Sequence, residues 1–78
     1  MYIKSKNIAR WEKGTKYYMT WIQQDLFGDW YVFRVWGVKN SLNGEECYDW
    51  AENEAAANRR LDSLMRMRLR DGYHLASP

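Results

Sequence analysis

The sequence predicts an α+β domain: an antiparallel sheet of three or four strands with one long helix packed on one face. Three observations carry that prediction. Residues 16–36 hold two runs rich in aromatic and β-branched residues, KYYMTWIQQ and WYVFRVW. The loop between them is so short that the two runs must pair antiparallel. Residues 54–70 contain neither glycine nor proline and repeat apolar side chains at helical spacing. Finally, 78 residues suffice for one small core, so residues 1–78 are read as a single domain.

The elements follow in order. Residues 1–7 are expected to fray at the terminus, and Ile8–Trp11 to add an edge strand. Lys16–Gln24 is the first strong strand. Asp25-Leu26-Phe27-Gly28-Asp29 supplies turn chemistry. Trp30–Trp36 is the second strand. Gly37–Gly44 is a loop ending in the hairpin signal Asn43-Gly44, and Glu45–Trp50 is a third, weaker strand. Asn53 is placed to cap the helix, with Glu54 in its first turn. The helix should end near Arg70 or Asp71, with Gly72 just beyond it. Residues 74–78 are expected to fray.

On the helix, Ala57, Leu61, Leu64, Met65 and Leu69 form one apolar stripe, with Arg59, Arg66 and Arg70 opposite. Arg68 falls inside the stripe. A guanidinium there needs a partner, either a carboxylate at the core edge or a phosphate brought by a ligand. Trp21 and Trp30 are expected in the core. Both strong strands carry large apolar residues on both faces, and one helix covers only one. Some aromatic surface must therefore sit near solvent, the termini or a partner.

Composition narrows the function. Aromatic residues make up 17% of the chain, too many for a disordered segment. No apolar run approaches the ~20 residues of a membrane span, and the N-terminus lacks the apolar stretch of a signal peptide. The single cysteine, Cys47, suits a reducing compartment, so a cytoplasmic location without membrane contact is expected.

Chemistry is sparse. Cys47 lies in a predicted strand and His74 beyond the helix, so the pair reads as a half-buried thiol and a tail histidine in place of a nucleophile and base; one cysteine and one histidine far apart in sequence do not suggest a metal site. Glu45, Glu46 and Asp49 read as a solvated acidic strand. No glycine-rich phosphate loop joins a strand to a helix. The expectation is a non-enzymatic module without cofactor, metal or small-molecule substrate. Charge is segregated: residues 1–16 carry net +4, residues 17–58 net −5 and residues 59–78 net +3. If the basic ends meet, they form a basic surface on a nearly neutral chain. Trp36 ends its strand beside Gly37, where backbone can approach a ligand, with Lys39 close by. An indole so placed can stack on a sugar or base.

These stretches together resemble the WGR domain, a small module found in poly(ADP-ribose) polymerases and in bacterial proteins. The likeness covers residues 13–73. It rests on Lys13-Gly14-Thr15-Lys16-Tyr17-Tyr18 and Trp30-Tyr31-Val32-Phe33-Arg34-Val35-Trp36-Gly37. The Ser41–Gly44 loop, the helical residues Ala57, Leu61, Leu64, Met65 and Arg68, and the closing Gly72-Tyr73 complete it. The resemblance implies a sheet with one helix packed on it, and binding of DNA backbone or strand ends with low sequence specificity. It implies stacking by Trp36, and contacts from Arg68 and from Thr15 or Lys16; Lys39 joins them as a phosphate-binding candidate. The third residue of the motif, arginine in the family, is Val38 here, and the glycine expected two positions later is Asn40. The alternative is a protein–protein adaptor or small homodimer using the aromatic sheet face.

Overall fold

A computed structural model describes residues 4–76. In chain order they form β1 (Lys4–Lys13), β2 (Lys16–Gln24), β3 (Trp30–Val38), β4 (Gly44–Ala51), α1 (Glu54–Arg70) and β5 (His74–Ala76). The strands make one antiparallel sheet in the order β4-β3-β2-β1-β5, and α1 packs across one face. The class is α+β, as the sequence predicts, but the sheet has five strands in place of three or four.

Both additional stretches come from segments expected to fray. Lys4, Ser5 and Lys6 pair with Gln24, Gln23 and Ile22. The register then shifts between Lys6 and Ala9, where Asn7 adopts a φ of +57°. This bulge breaks the two-residue alternation by which a strand is recognised in sequence. At the other end, Glu12, Trp11 and Arg10 pair with His74, Leu75 and Ala76. Three residues are too few to show a period. β1 is therefore an inner strand, not an edge. Residues 1–3 and 77–78, also expected to fray, lie outside the described residues.

The helix begins where Asn53 accepts a hydrogen bond from the Ala56 N–H at 2.8 Å. It ends in a Schellman motif: Tyr73 N–H reaches the Arg68 carbonyl at 3.0 Å, and Gly72 N–H reaches Leu69 at 3.1 Å. Gly72 supports this with a φ of +91°. Lys13 Nζ donates to the Asp71 carbonyl at 2.6 Å, satisfying a terminal acceptor with a cation. Among the described residues, no helix is long and apolar enough to cross a membrane.

Side-chain alternation along β2 and β3 divides the sheet into two faces. Against the helix lie Ile22, Val32, Trp30 and Ala51, packed on Ala57, Leu61 and Leu64. A second cluster of Ala9, Trp11 and Tyr18 continues the same face, with Met65, Trp36 and Tyr73 packed against it. Leu69, expected in the stripe, is 59% exposed, because it sits at the stripe's margin in the last turn. Trp21 is also corrected: it stacks on Phe33 on the opposite face and is only half-buried, while Trp30 is in the core.

Candidate functional site

The covered face changes character toward the C-terminal end of α1. There the helix presents Arg68 where earlier turns present Leu61 and Leu64. Its guanidinium lies 4.4 Å from the centroid of the Tyr18 ring and 5.5 Å from that of Tyr73. Arg68 Nη2 also pairs with Asp71 Oδ2 at 3.2 Å, one turn on. The cation in the apolar stripe is thus held by two aromatic rings and a carboxylate. Its Nε is buried without a hydrogen-bond partner.

Arg34, on β3, faces the same place. Two-residue alternation puts it on the same face as Trp36, and its guanidinium lies 5.8 Å from the Trp36 ring. Arg34 Nη2 donates to Cys47 Sγ at 3.1 Å and to Asp49 Oδ2 at 3.4 Å, while its Nε is buried and unpartnered. Trp36 stacks on Tyr18 with centroids 6.0 Å apart and planes within 18°. Tyr73 meets Tyr18 edge-on. Tyr18, Arg34, Trp36, Arg68 and Tyr73 line one cavity of about 240 Å³. A neighbouring hollow of about 250 Å³ is lined by Lys16, Tyr17, Trp36, Gly37, Val38 and Tyr73. Trp36 and Tyr73 belong to both.

The sequence candidates therefore separate. Trp36 and Arg68 share the first cavity, and Lys16, Gly37 and Trp36 share the second. Lys39 and Thr15 line neither. Lys39 Nζ pairs with Glu12 Oε1 at 2.8 Å, and its backbone N–H donates to the Thr15 carbonyl at 2.7 Å. Arg10 Nε holds the other Glu12 oxygen at 2.9 Å. Hydrogen bonds from Lys39 and then Arg10 pull the Glu12 pKa down from 4.5 to about 2. The three groups retain one net positive charge beside the second hollow's loop.

Gly37 also meets a packing need within the chain. A Cβ there would lie 3.0 Å from the Tyr17 hydroxyl and 3.3 Å from Gly44 Cα. The close approach at this glycine is made by the chain's own Tyr17 ring, laid across the Gly37–Gly44 pair. Asn40, where the resemblance implies glycine, adopts a φ of +64°. Asparagine tolerates this left-handed conformation better than most residues, so the turn conformation favoured by glycine is kept.

Sequence reasoning missed Arg34 and the walls Tyr18 and Tyr73 as members of one cavity. Period-two alternation back from Trp36 carried the signal for Arg34. Nothing local tells that Tyr73, beyond the helix, returns to Tyr18. A larger groove of about 450 Å³ lies between α1, β1 and β5. Ile8, Ala9, Leu61, Met65 and Leu75 line it with Asn7, Asn58 and Asp62, and none of these described lining residues is basic.

Among known protein families, the model of the WGR domain matches residues 1–78, the whole chain. Comparisons with curated proteins and with solved structures give no match.

Proposed function

The chain belongs to the WGR domain family, a nucleic-acid-binding type of module, and from that premise we propose that it binds DNA backbone and strand ends with low sequence specificity. One observation carries the reading. An indole and two guanidiniums, Trp36, Arg34 and Arg68, line a single solvent-accessible cavity, and each guanidinium keeps a buried Nε without a protein partner. A nucleotide offers the matching chemistry: a sugar or base for the indole and a phosphate for the arginines.

In this reading Trp36 stacks on the terminal sugar, its other contacts being held by Tyr18. Arg34 and Arg68 donate to the phosphate, with Asp49 and Asp71 holding the arginines in place while the phosphate oxygens accept from their remaining N–H groups. Lys16 meets the adjoining phosphate from the second hollow. Lys39 and Thr15 act one step back: their bonds fix the turn after Val38 and set the Glu12 cluster. The role proposed for this arrangement is binding alone. The buried stripe of α1 faces the sheet, so this helix is not presented to a major groove and base reading is weak.

The test is a binding titration of blunt, nicked and single-stranded DNA at two salt concentrations. Affinity should fall steeply with salt, and Arg68→Ala should lower the slope of log affinity against log salt by roughly one. Val38 is 48% exposed and lines the second hollow. Val38→Arg should therefore strengthen binding by restoring a bidentate donor. If neither the wild type nor Val38→Arg binds any of these DNAs at low salt, the reading is lost.

A further inference from the structure

The face of the sheet opposite α1 is not covered. Tyr48 and Trp50 are 63% and 61% exposed there, and Trp21, Tyr31, Phe33, Met19 and Val35 are half-exposed beside them. The central rings stand stacked across the strands. Trp21 and Phe33 lie 5.5 Å apart within 6° of parallel, and Phe33 and Tyr48 lie 5.4 Å apart within 24°. Their flat faces are spent on one another, so the inner rings present edges. A base or sugar needs a free ring face; an apolar ridge suits another packed sheet.

We infer that this open face is a self-association surface, on which two copies of the chain pack sheet against sheet. Two features select a second copy. First, one row across the sheet reads Glu46, Val35, Met19, Arg10. A two-fold axis along the strands, between Val35 and Met19, sets Glu46 of each copy over Arg10 of the other. The same axis sets Gly44 over Glu12, so these rows bring no like charges together. Second, the outer edge of β4 carries Glu45, Glu46 and Asp49, and the other edge is the three-residue β5. Both guard against edge-to-edge pairing and leave face-to-face packing.

The arginine cavity lies on the helix side of the sheet, so both copies keep it outward. Resting on the nucleic-acid reading above, the pair then carries two sites and joins two DNA ends in one particle.

Sedimentation equilibrium of the full chain tests the surface without DNA. At tens of micromolar the wild type should approach twice the 9.4 kDa chain mass and dissociate on dilution. Glu46→Arg and Tyr48→Lys, both at exposed positions, should run as single chains with unchanged circular dichroism. Combining Glu46→Arg with Arg10→Glu should restore the pair. A wild type that stays at one chain mass at hundreds of micromolar overturns the inference, as does undiminished pairing in both single variants. Failure of the double variant to regain pairing overturns the two-fold arrangement. A second assay asks whether a bead-bound duplex retains a labelled free duplex. Wild type should retain it and Glu46→Arg should not. Pairing without retention of either duplex overturns the nucleic-acid reading and leaves the surface standing; binding of the first duplex alone by a single-chain wild type does the reverse.

Discussion

The two faces of the sheet are written with the same alphabet and end differently. Tyr18, Thr20 and Ile22 alternate with Tyr17, Met19 and Trp21 along one strand, and either set would make a core. Only the first meets the helix. Ile22 and Val32 are fully buried beneath Leu61 and Leu64, whereas Trp21, Phe33 and Tyr48 stack on one another in the open. What distinguishes the faces is the residues at their centre. Beneath the helix the centre is aliphatic, Ile22 and Val32, with the larger Trp11, Tyr18 and Trp30 set around it; on the other face the central rings support themselves across strands. Within the covered face there is a second contrast: Leu61 and Leu64 close the core, and Arg68 opens it into a polar, ring-lined cavity.

Leu61→Ala breaks the comparison most severely. A buried Leu→Ala costs about 2–5 kcal/mol, a large part of the ~5–15 kcal/mol available to a domain. Urea denaturation should show the midpoint collapse or the chain unfolded in buffer. A stability unchanged by this substitution contradicts the assignment of the covered face.

Trp36→Ala probes the boundary where core becomes site. Loss of the stacking contact should weaken DNA binding by about 1–3 kcal/mol, while the half-buried position lets the fold survive with a lowered melting temperature. Titration of a blunt duplex beside a thermal melt separates the two effects. The open face should respond least in structural terms. Tyr48→Ala removes two ring pairs, with Phe33 and Tyr31, and should cost at most about 0.5–1.5 kcal/mol for each in the same denaturation experiment.

The smallest effect concerns the loop beside the second hollow. Ionised Glu12 is stabilised by Lys39 and Arg10, which lower its pKa from 4.5 to about 2. A depressed carboxylate contributes its stability above its unfolded pKa and loses it as pH falls through the folded one. Stability should thus decline between about pH 4.5 and about pH 2, and Glu12→Gln should flatten that part of the curve. Carboxyl NMR should find the Glu12 midpoint near 2, rising toward 4.5 in Lys39→Ala.

How far these features could be read from sequence depends on their range. The helix bounds, the Asn53 cap and the Gly72 stop were legible because each is set by residues a turn apart. β2 and β3 were legible because alternation is strong there. β1 was partly hidden by the bulge at Asn7 and Ile8, and β5 by its brevity; both need partners distant in sequence to exist as strands. Trp21, expected in the core with Trp30, lies on the other face: both faces are apolar, and only the docked helix breaks the tie. The site shows the same division. Trp36 and Arg68 stood out locally, one at a strand end and one as a cation in an apolar stripe. That Lys39 is held by Glu12, and that Tyr73 returns to Tyr18, depends on β1 lying between β2 and β5.

Chemical-shift perturbation on adding a short duplex with a free 5′ end puts the division between the faces directly to the test. Perturbations should cluster at Trp36, Arg68 and Arg34, extend to Lys16 and Gly37, and leave Trp21, Phe33, Tyr48 and Trp50 in place. Shifts centred on the open aromatic face, or none at low salt, would contradict the assignment of nucleic-acid binding to the arginine cavity.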